Sequence, residues 1–393
     1  MKTPLSASQT TRLVLASTGL VQGFIYFLAH ELWPEDPATK ALIVAPVFFV
    51  SVAAVIVHLA WTGRDIKRLA TLAAVIPAVF AILGFLVWSQ VPADGAPYQL
   101  DESKIPLSIA GTVLAVYVLL PFIQIYQKSG QRTYPYSELF QHSWTNLYIL
   151  AIGGAVTWAF WLIIMLWFQL FKLIDITLFE NVFTHAAFVS MGLTTVFGYG
   201  VALGRESERV TSTLRSLTLV ILRTLMPLLA LIALLFLVSL PFTGLQPLWD
   251  TGHASAVLLS LIGLTILLSN GTYQDGAGGL PYERWVRHGV EAALLGLPIY
   301  AGITFYALAL RIGQYGLSPI RFYGVLLTTI AALFAIGYAA AVLRRHGNWL
   351  EHVQRVNMAM AGVLVAGAIT LNTPLLDPVE WSARNQFAVR LLI

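Results

Sequence analysis

Apolar residues come in runs of about 20 along this chain, and that length constrains the fold more than any other feature. A helix of that size crosses a hydrocarbon core of about 30 Å and satisfies its own backbone groups, which lipid cannot do. A transmembrane barrel needs apolar–polar alternation instead, and the stretch from Leu225 to Leu240 is almost unbroken in its apolarity. Only 11% of the 393 residues are charged, too few to cover a soluble surface. The expected fold is therefore all-α: a polytopic transmembrane helix bundle with about 11 spans.

The spans fall near residues 13–33, 41–61, 69–91, 105–126, 145–171, 182–204, 217–242, 254–270, 287–311, 320–343 and 356–372. Residues 145–171 are long for one crossing, and that helix is expected to begin earlier, near Ser137. Pro46, Pro77, Pro227 and Pro298 lie inside spans and each removes a backbone donor there. Trp33, Trp61, Trp88, Trp249, Trp285 and Trp349 sit at span ends, the headgroup-level belt that tryptophan favours. No soluble linker and no internal repeat divides the chain, so residues 1–375 read as one transmembrane helical domain. The first run, Leu13 to Leu32, is too long for a signal-peptide core and reads as an uncleaved anchor.

Lysine and arginine set the orientation. With a cytoplasmic N-terminus, the inner segments carry Lys2, Arg12, Arg64, Lys67, Arg68, Lys128, Arg132, Arg205, Arg209, Arg215, Arg284, Arg287, Arg344, Arg345 and Arg355. The outer ones carry Lys40, Lys104, Lys172, Arg311, Arg321, Arg384 and Arg390, a bias of about two to one. The C-terminus then lies outside, and the net charge of +4 reflects this loop asymmetry, not a nucleic-acid partner. The expected location is the bacterial inner membrane, with membrane lipids, and other envelope membrane proteins, as partners. Residues 376–393 place Val379, Ala383, Phe387 and Leu391 at four-residue steps, as in a short amphipathic helix. The sequence stops on three apolar residues, so either that helix lies in the interface or a polar region follows Ile393.

Two constellations stand out. The first is the hairpin Arg311-Ile-Gly-Gln-Tyr-Gly-Leu-Ser-Pro-Ile-Arg321, whose arginines sit outside against the charge trend. Arg311, Gln314, Tyr315 and Arg321, with Ser318, can hold a phosphate or carboxylate at headgroup level. The bland alternative pairs both arginines with outer acids such as Glu31, Asp175 or Asp250, or sets them against lipid phosphate. The second is an intramembrane pair, Arg223 and Glu291, each 19 or 20 residues from the outer end of its span. A bridge between them would lower the desolvation cost of both, as helix–helix glue or as a coupling element.

Other features argue against familiar chemistry. There is no cysteine, no Walker A sequence, no GxSxG and no dinucleotide fingerprint, so no catalytic residue, cofactor or metal ligand set is assigned. His30, Glu31 and Asp36 would suit an outer metal site, though solvated loop residues explain them equally. The eight histidines all fall near span ends, His58 near the inner face. Trp158, Trp161 and Trp167 with Phe160, Phe168 and Phe171 read as a packing or lipid face. Gly153 and Gly154, and Gly198, Gly200 and Gly204, mark places of close helix approach.

Gly19, Gln22 and Gly23 followed by Trp33-Pro34, then Leu139-Phe140 with Trp144 and Asn146, form one set of shared features. With Leu170-Phe171, Arg311-Ile312, Tyr315-Gly316-Leu317 and Arg321, they resemble a bacterial membrane family known as domain of unknown function 4153. That resemblance implies a polytopic inner-membrane protein and no particular activity. It also implies a polar region after a segment similar to Ser382-Ala383-Arg384-Asn385-Gln386. Taken together, the sequence favours a non-enzymatic envelope component or lipid-facing scaffold. A transporter of a small or lipid-linked anion, or an enzyme acting on a lipid-linked substrate, stays open.

Overall fold

The computed structural model describes residues 6–34, 36–89, 104–176, 178–276, 281–344, 349–373, 381–382 and 385. Among these the chain forms thirteen α-helices and no strand. They are α1 (Ala7–Glu31), α2 (Pro37–Ala60), α3 (Ile66–Trp88), α4 (Lys104–Ser129), α5 (Tyr136–Lys172), α6 (Leu178–Phe183) and α7 (Ala186–Glu206). There follow α8 (Glu208–Thr243), α9 (Gln246–Asp250), α10 (Ala254–Tyr273), α11 (Arg284–Tyr315), α12 (Pro319–Leu343) and α13 (Trp349–Leu371). Eleven of them are long and apolar enough to cross a membrane; the short α6 and α9 are not. The eleven spans expected from hydropathy are present, and α5 begins at Tyr136, one residue from the expected start. Pro121 and Pro241 join the four anticipated prolines inside helices.

Where the sequence offered no dividing point, the contacts fall into two compact units. One comprises residues 1–215 with 368–374, the other 216–367 with 375–393. Residues Val379, Ala383, Phe387 and Leu391 of the anticipated amphipathic helix, and Arg384 and Arg390, lie outside the described residues.

The first unit is built on glycine. A Cβ on Gly19 would lie 2.0 Å from the Thr194 carbonyl oxygen, and one on Gly198 2.2 Å from the Leu15 carbonyl oxygen. α1 and α7 therefore meet backbone to backbone, gaining dispersion that larger residues would forfeit. α7 turns its other glycines to α5: Gly200 approaches Gly153, and Gly204 approaches Ile149. Gly154 faces open space, so only half of the anticipated Gly153–Gly154 pair is used.

Polar side chains finish what helix geometry leaves undone at the end of α2. Arg205 donates to the carbonyls of His58 (2.7 Å) and Trp61, and Gln124 donates to Leu59 (3.0 Å). Gln124 also exchanges two amide hydrogen bonds of 2.9 Å with Asn146. His58 is fully buried, its Nε2 3.1 Å from the Leu15 carbonyl. Its place near a span end made it look like an interfacial residue, but the close approach of α1 and α7 seals it in.

In the second unit the core gathers Leu258 and Ile262 of α10, Leu294, Leu297 and Tyr300 of α11, and Ala335 and Tyr338 of α12. The Tyr338 hydroxyl lies 3.0 Å from Asn270 Oδ1 and 2.8 Å from Asn357 Oδ1. Asn357 donates to the same Asn270 oxygen at 2.7 Å, tying α10, α12 and α13 together. In an apolar surround such a network fixes helix register, because a slip would strand several polar groups.

Candidate anion site

A cavity of about 1020 Å³ opens in the second unit where α10 and α12 begin and α11 ends. Three features make its polar end electropositive. First, Arg311, Gln314 and Arg321 line it, three of the four residues singled out in the hairpin. The fourth, Tyr315, is exposed and lies between the two guanidinium groups, 5.9 Å from Arg311 and 5.4 Å from Arg321. A ring face stabilises a cation without neutralising it.

Second, the helix starts are uncapped. His253, the N-cap of α10, forms no side-chain cap, and Ala254, Ser255 and Ala256 line the cavity with the first turn of that helix. Ser318, the N-cap of α12, forms none either, although serine is among the best capping residues. Its hydroxyl is shielded from solvent and has no hydrogen-bond partner, so it does not join the site as the sequence reading allowed. Free N–H groups and the positive end of the helix dipole both favour an anion at such places.

Third, no acidic residue among the described residues lines the cavity. Within the second unit neither Arg311 nor Arg321 forms an ion pair among the described residues, so the pairing with Asp250 is not the arrangement found. Glu31 lies 3.6 Å from His30, and Asp250 accepts from Gln246 at 2.8 Å.

The two arginines differ. Arg321 spends Nη1 on the carbonyls of Tyr315 (3.2 Å) and Gly316 (2.6 Å), closing the C-terminus of α11. Its Nε and Nη2 make no hydrogen bond among the described residues, and neither does any nitrogen of the exposed Arg311. Up to eight N–H donors are thereby left for a ligand, by the donor inventory of two guanidinium groups.

Below this end the walls become apolar. Leu259 of α10, Leu308 of α11 and Leu327 of α12 line the cavity, with Tyr306 and Gly324. Leu308 stands seven residues before the end of α11, about 10 Å along its axis by the helical rise. Gln246, Trp249 and His253 complete the polar end, and sequence reading assigned none of them to it. They come from the α9–α10 corner, and no local pattern ties that corner to a hairpin some 60 residues later.

The second constellation is arranged differently from expectation. Glu291 is buried and pairs with Arg287 one turn earlier on α11, at 2.8 Å. Arg223 instead donates to the Pro281 carbonyl at 2.8 Å, and Tyr282 donates to the Arg223 carbonyl at 2.5 Å. An i,i+4 partner on the same helix needs no inter-helix reach, which is why it outcompetes Arg223 for the carboxylate.

His30, Glu31 and Asp36 do not converge: Asp36 is the N-cap of α2, accepting from Thr39 at 3.0 Å. Among the described residues no group of three metal-ligating side chains assembles. The aromatic face of α5 splits, with Trp158 exposed and Trp167 packed against Phe171, Phe179 and Phe183.

The length and apolarity of eleven helices make this a multi-pass membrane protein. Comparison with protein-family models gave no match, and neither did comparison with characterised proteins or with solved structures.

Proposed function

We propose that the protein is a lipid-facing membrane component that holds an anionic, chain-bearing molecule in the second unit. The observation that carries this reading is the two-part cavity: two arginines and two uncapped helix starts at one end, leucine walls beyond. A volume of about 1020 Å³ is at the upper end of clefts that enclose whole small molecules, roughly 300–1,000 Å³, and exceeds what a bare phosphate fills. The charge trend of the loops supports a site facing the outer leaflet of a bacterial inner membrane. The resemblance to the domain of unknown function 4153 family belongs to this reading as well, and it carries no activity with it.

Native mass spectrometry of the purified chain tests the proposal. Phosphatidylglycerol adducts are expected to outnumber phosphatidylcholine adducts, and Arg311→Gln is expected to weaken the anionic adduct about tenfold, the scale of one lost charge-assisted bond. Competition by millimolar inorganic phosphate would identify a free anion as the ligand. Equal binding of the two lipids, together with no effect of phosphate, overturns the site.

A further inference from the structure

The turn that carries the two arginines is held from outside its own hairpin. Gly316, the C-cap of α11, has φ +72°, in the left-handed region that glycine tolerates best. Leu317 follows, then Ser318 and Pro319 start α12. Neither helix continues through Leu317, so its N–H and C=O need partners from elsewhere.

Ser382 and Asn385 take both. Asn385 Oδ1 accepts from the Leu317 N–H at 2.9 Å, and the Ser382 hydroxyl donates to the Leu317 carbonyl at 2.8 Å. Trp381 sets its ring edge-on to Phe322 of α12, with centroids 5.5 Å apart. Ser382 is buried by this contact, while Trp381 stays half-exposed. The three contacts straddle the turn: one residue after Gly316, whose carbonyl Arg321 caps, and one residue beyond Arg321 itself.

The geometry points to Trp381, Ser382 and Asn385 as a clip that positions the anion site. Ser382 and Asn385 are its positioning residues: they touch neither the cavity wall nor a ligand there, but fix the peptide between the two arginines. With Leu317 held, Gly316 keeps its left-handed conformation and presents its carbonyl to Arg321 Nη1. Arg321 then keeps its place in the cavity wall, and Tyr315 keeps its ring near both guanidinium groups. Without the clip, Leu317 loses these two partners, the hairpin samples other turns, and the two cations lose their common aim. A site of this kind loses affinity steeply when its supporting contacts loosen, because the ligand must then order what was previously ordered.

This inference rests on the anion site proposed above, and its test separates the two. Phosphatidylglycerol binding by the full chain is measured over a range of salt for the unaltered protein, Arg311→Gln, and the double variant Ser382→Ala/Asn385→Ala. The clip variant is expected to bind about five- to tenfold more weakly, the scale of two lost hydrogen bonds, with an unchanged salt slope because no charge is removed. Arg311→Gln is expected to lose affinity and to flatten the slope. Ser382→Thr, which keeps the hydroxyl, is expected to bind within about twofold of the unaltered chain and rules out mere damage to the turn. Undiminished binding by the double variant overturns the clip and leaves the anion site standing. Absence of any preference for phosphatidylglycerol in the unaltered chain, together with no effect of phosphate, overturns the site, and the clip with it.

Discussion

Arginine does opposite work in the first unit and at the α11–α12 hairpin of the second. In the first, the guanidinium groups are spent on the protein: Arg12 on Glu206 at 2.5–3.1 Å, Arg68 on the Gln127 carbonyl at 2.9 Å, and Arg205 on the last turn of α2. At that hairpin, Arg311 has no hydrogen-bond or ion-pair partner among the described residues, and Arg321 is only half committed. The same residue type is mortar in one place and receptor in the other. What separates them is the supply of acceptors: helix-end carbonyls and a carboxylate surround the first group, uncapped N–H groups and aromatic faces the second. A membrane protein retains an unneutralised cation at its rim only where something else supplies the counter-charge.

Four substitutions test that contrast. The largest effect belongs to Gly19→Leu, which forces α1 and α7 apart and is expected to cost about 3 kcal/mol or more, measured as a lower Tm in detergent. A melting curve like that of the unaltered protein would mean the two helices do not meet through that glycine. Next comes Arg205→Met, which strands the His58 and Trp61 carbonyls and is expected to remove about 2–3 kcal/mol in the same assay. Arg311→Gln is the mirror image: about tenfold in lipid affinity with Tm unmoved. Should Arg311→Gln lower Tm as Arg205→Met does, Arg311 is structural and the contrast collapses. Smallest is Gly154→Ala, where nothing crowds the new methyl and the better helix former is expected to raise stability by up to about 1 kcal/mol. A loss there would reveal a neighbour packed on the open side of α5.

The helices were legible because a span advertises itself locally: about 20 apolar residues in a row need no partner to be recognised. The long α5 was legible for the same reason, since apolarity extends back towards Ser137. The division into two units was not legible, because loops are short throughout and both units share one apolar composition. At the site, Arg311 and Arg321 stood out by defying the charge trend, while His253 and Gln246 had nothing local to mark them. Ser382 and Asn385 were the least visible of all. Their partner Leu317 is 65 and 68 residues away, and no local pattern ties them to it. Glu291 misled for another reason: depth matching pairs spans, but a neighbour one turn away on the same helix always arrives first.

The capping of α2 by Arg205 has a consequence for biogenesis. The acceptor carbonyl of His58 precedes its donor by 147 residues, so the last turn of α2 emerges from the ribosome long before the group that completes it. At elongation rates of about 5–20 residues per second the wait lasts roughly 7–30 s. During that interval the early hairpin sits in the bilayer with raw carbonyl oxygens, dependent on water or the insertion machinery for company. Nascent chains stalled before α7 are thus the species that membrane proteases meet half-made.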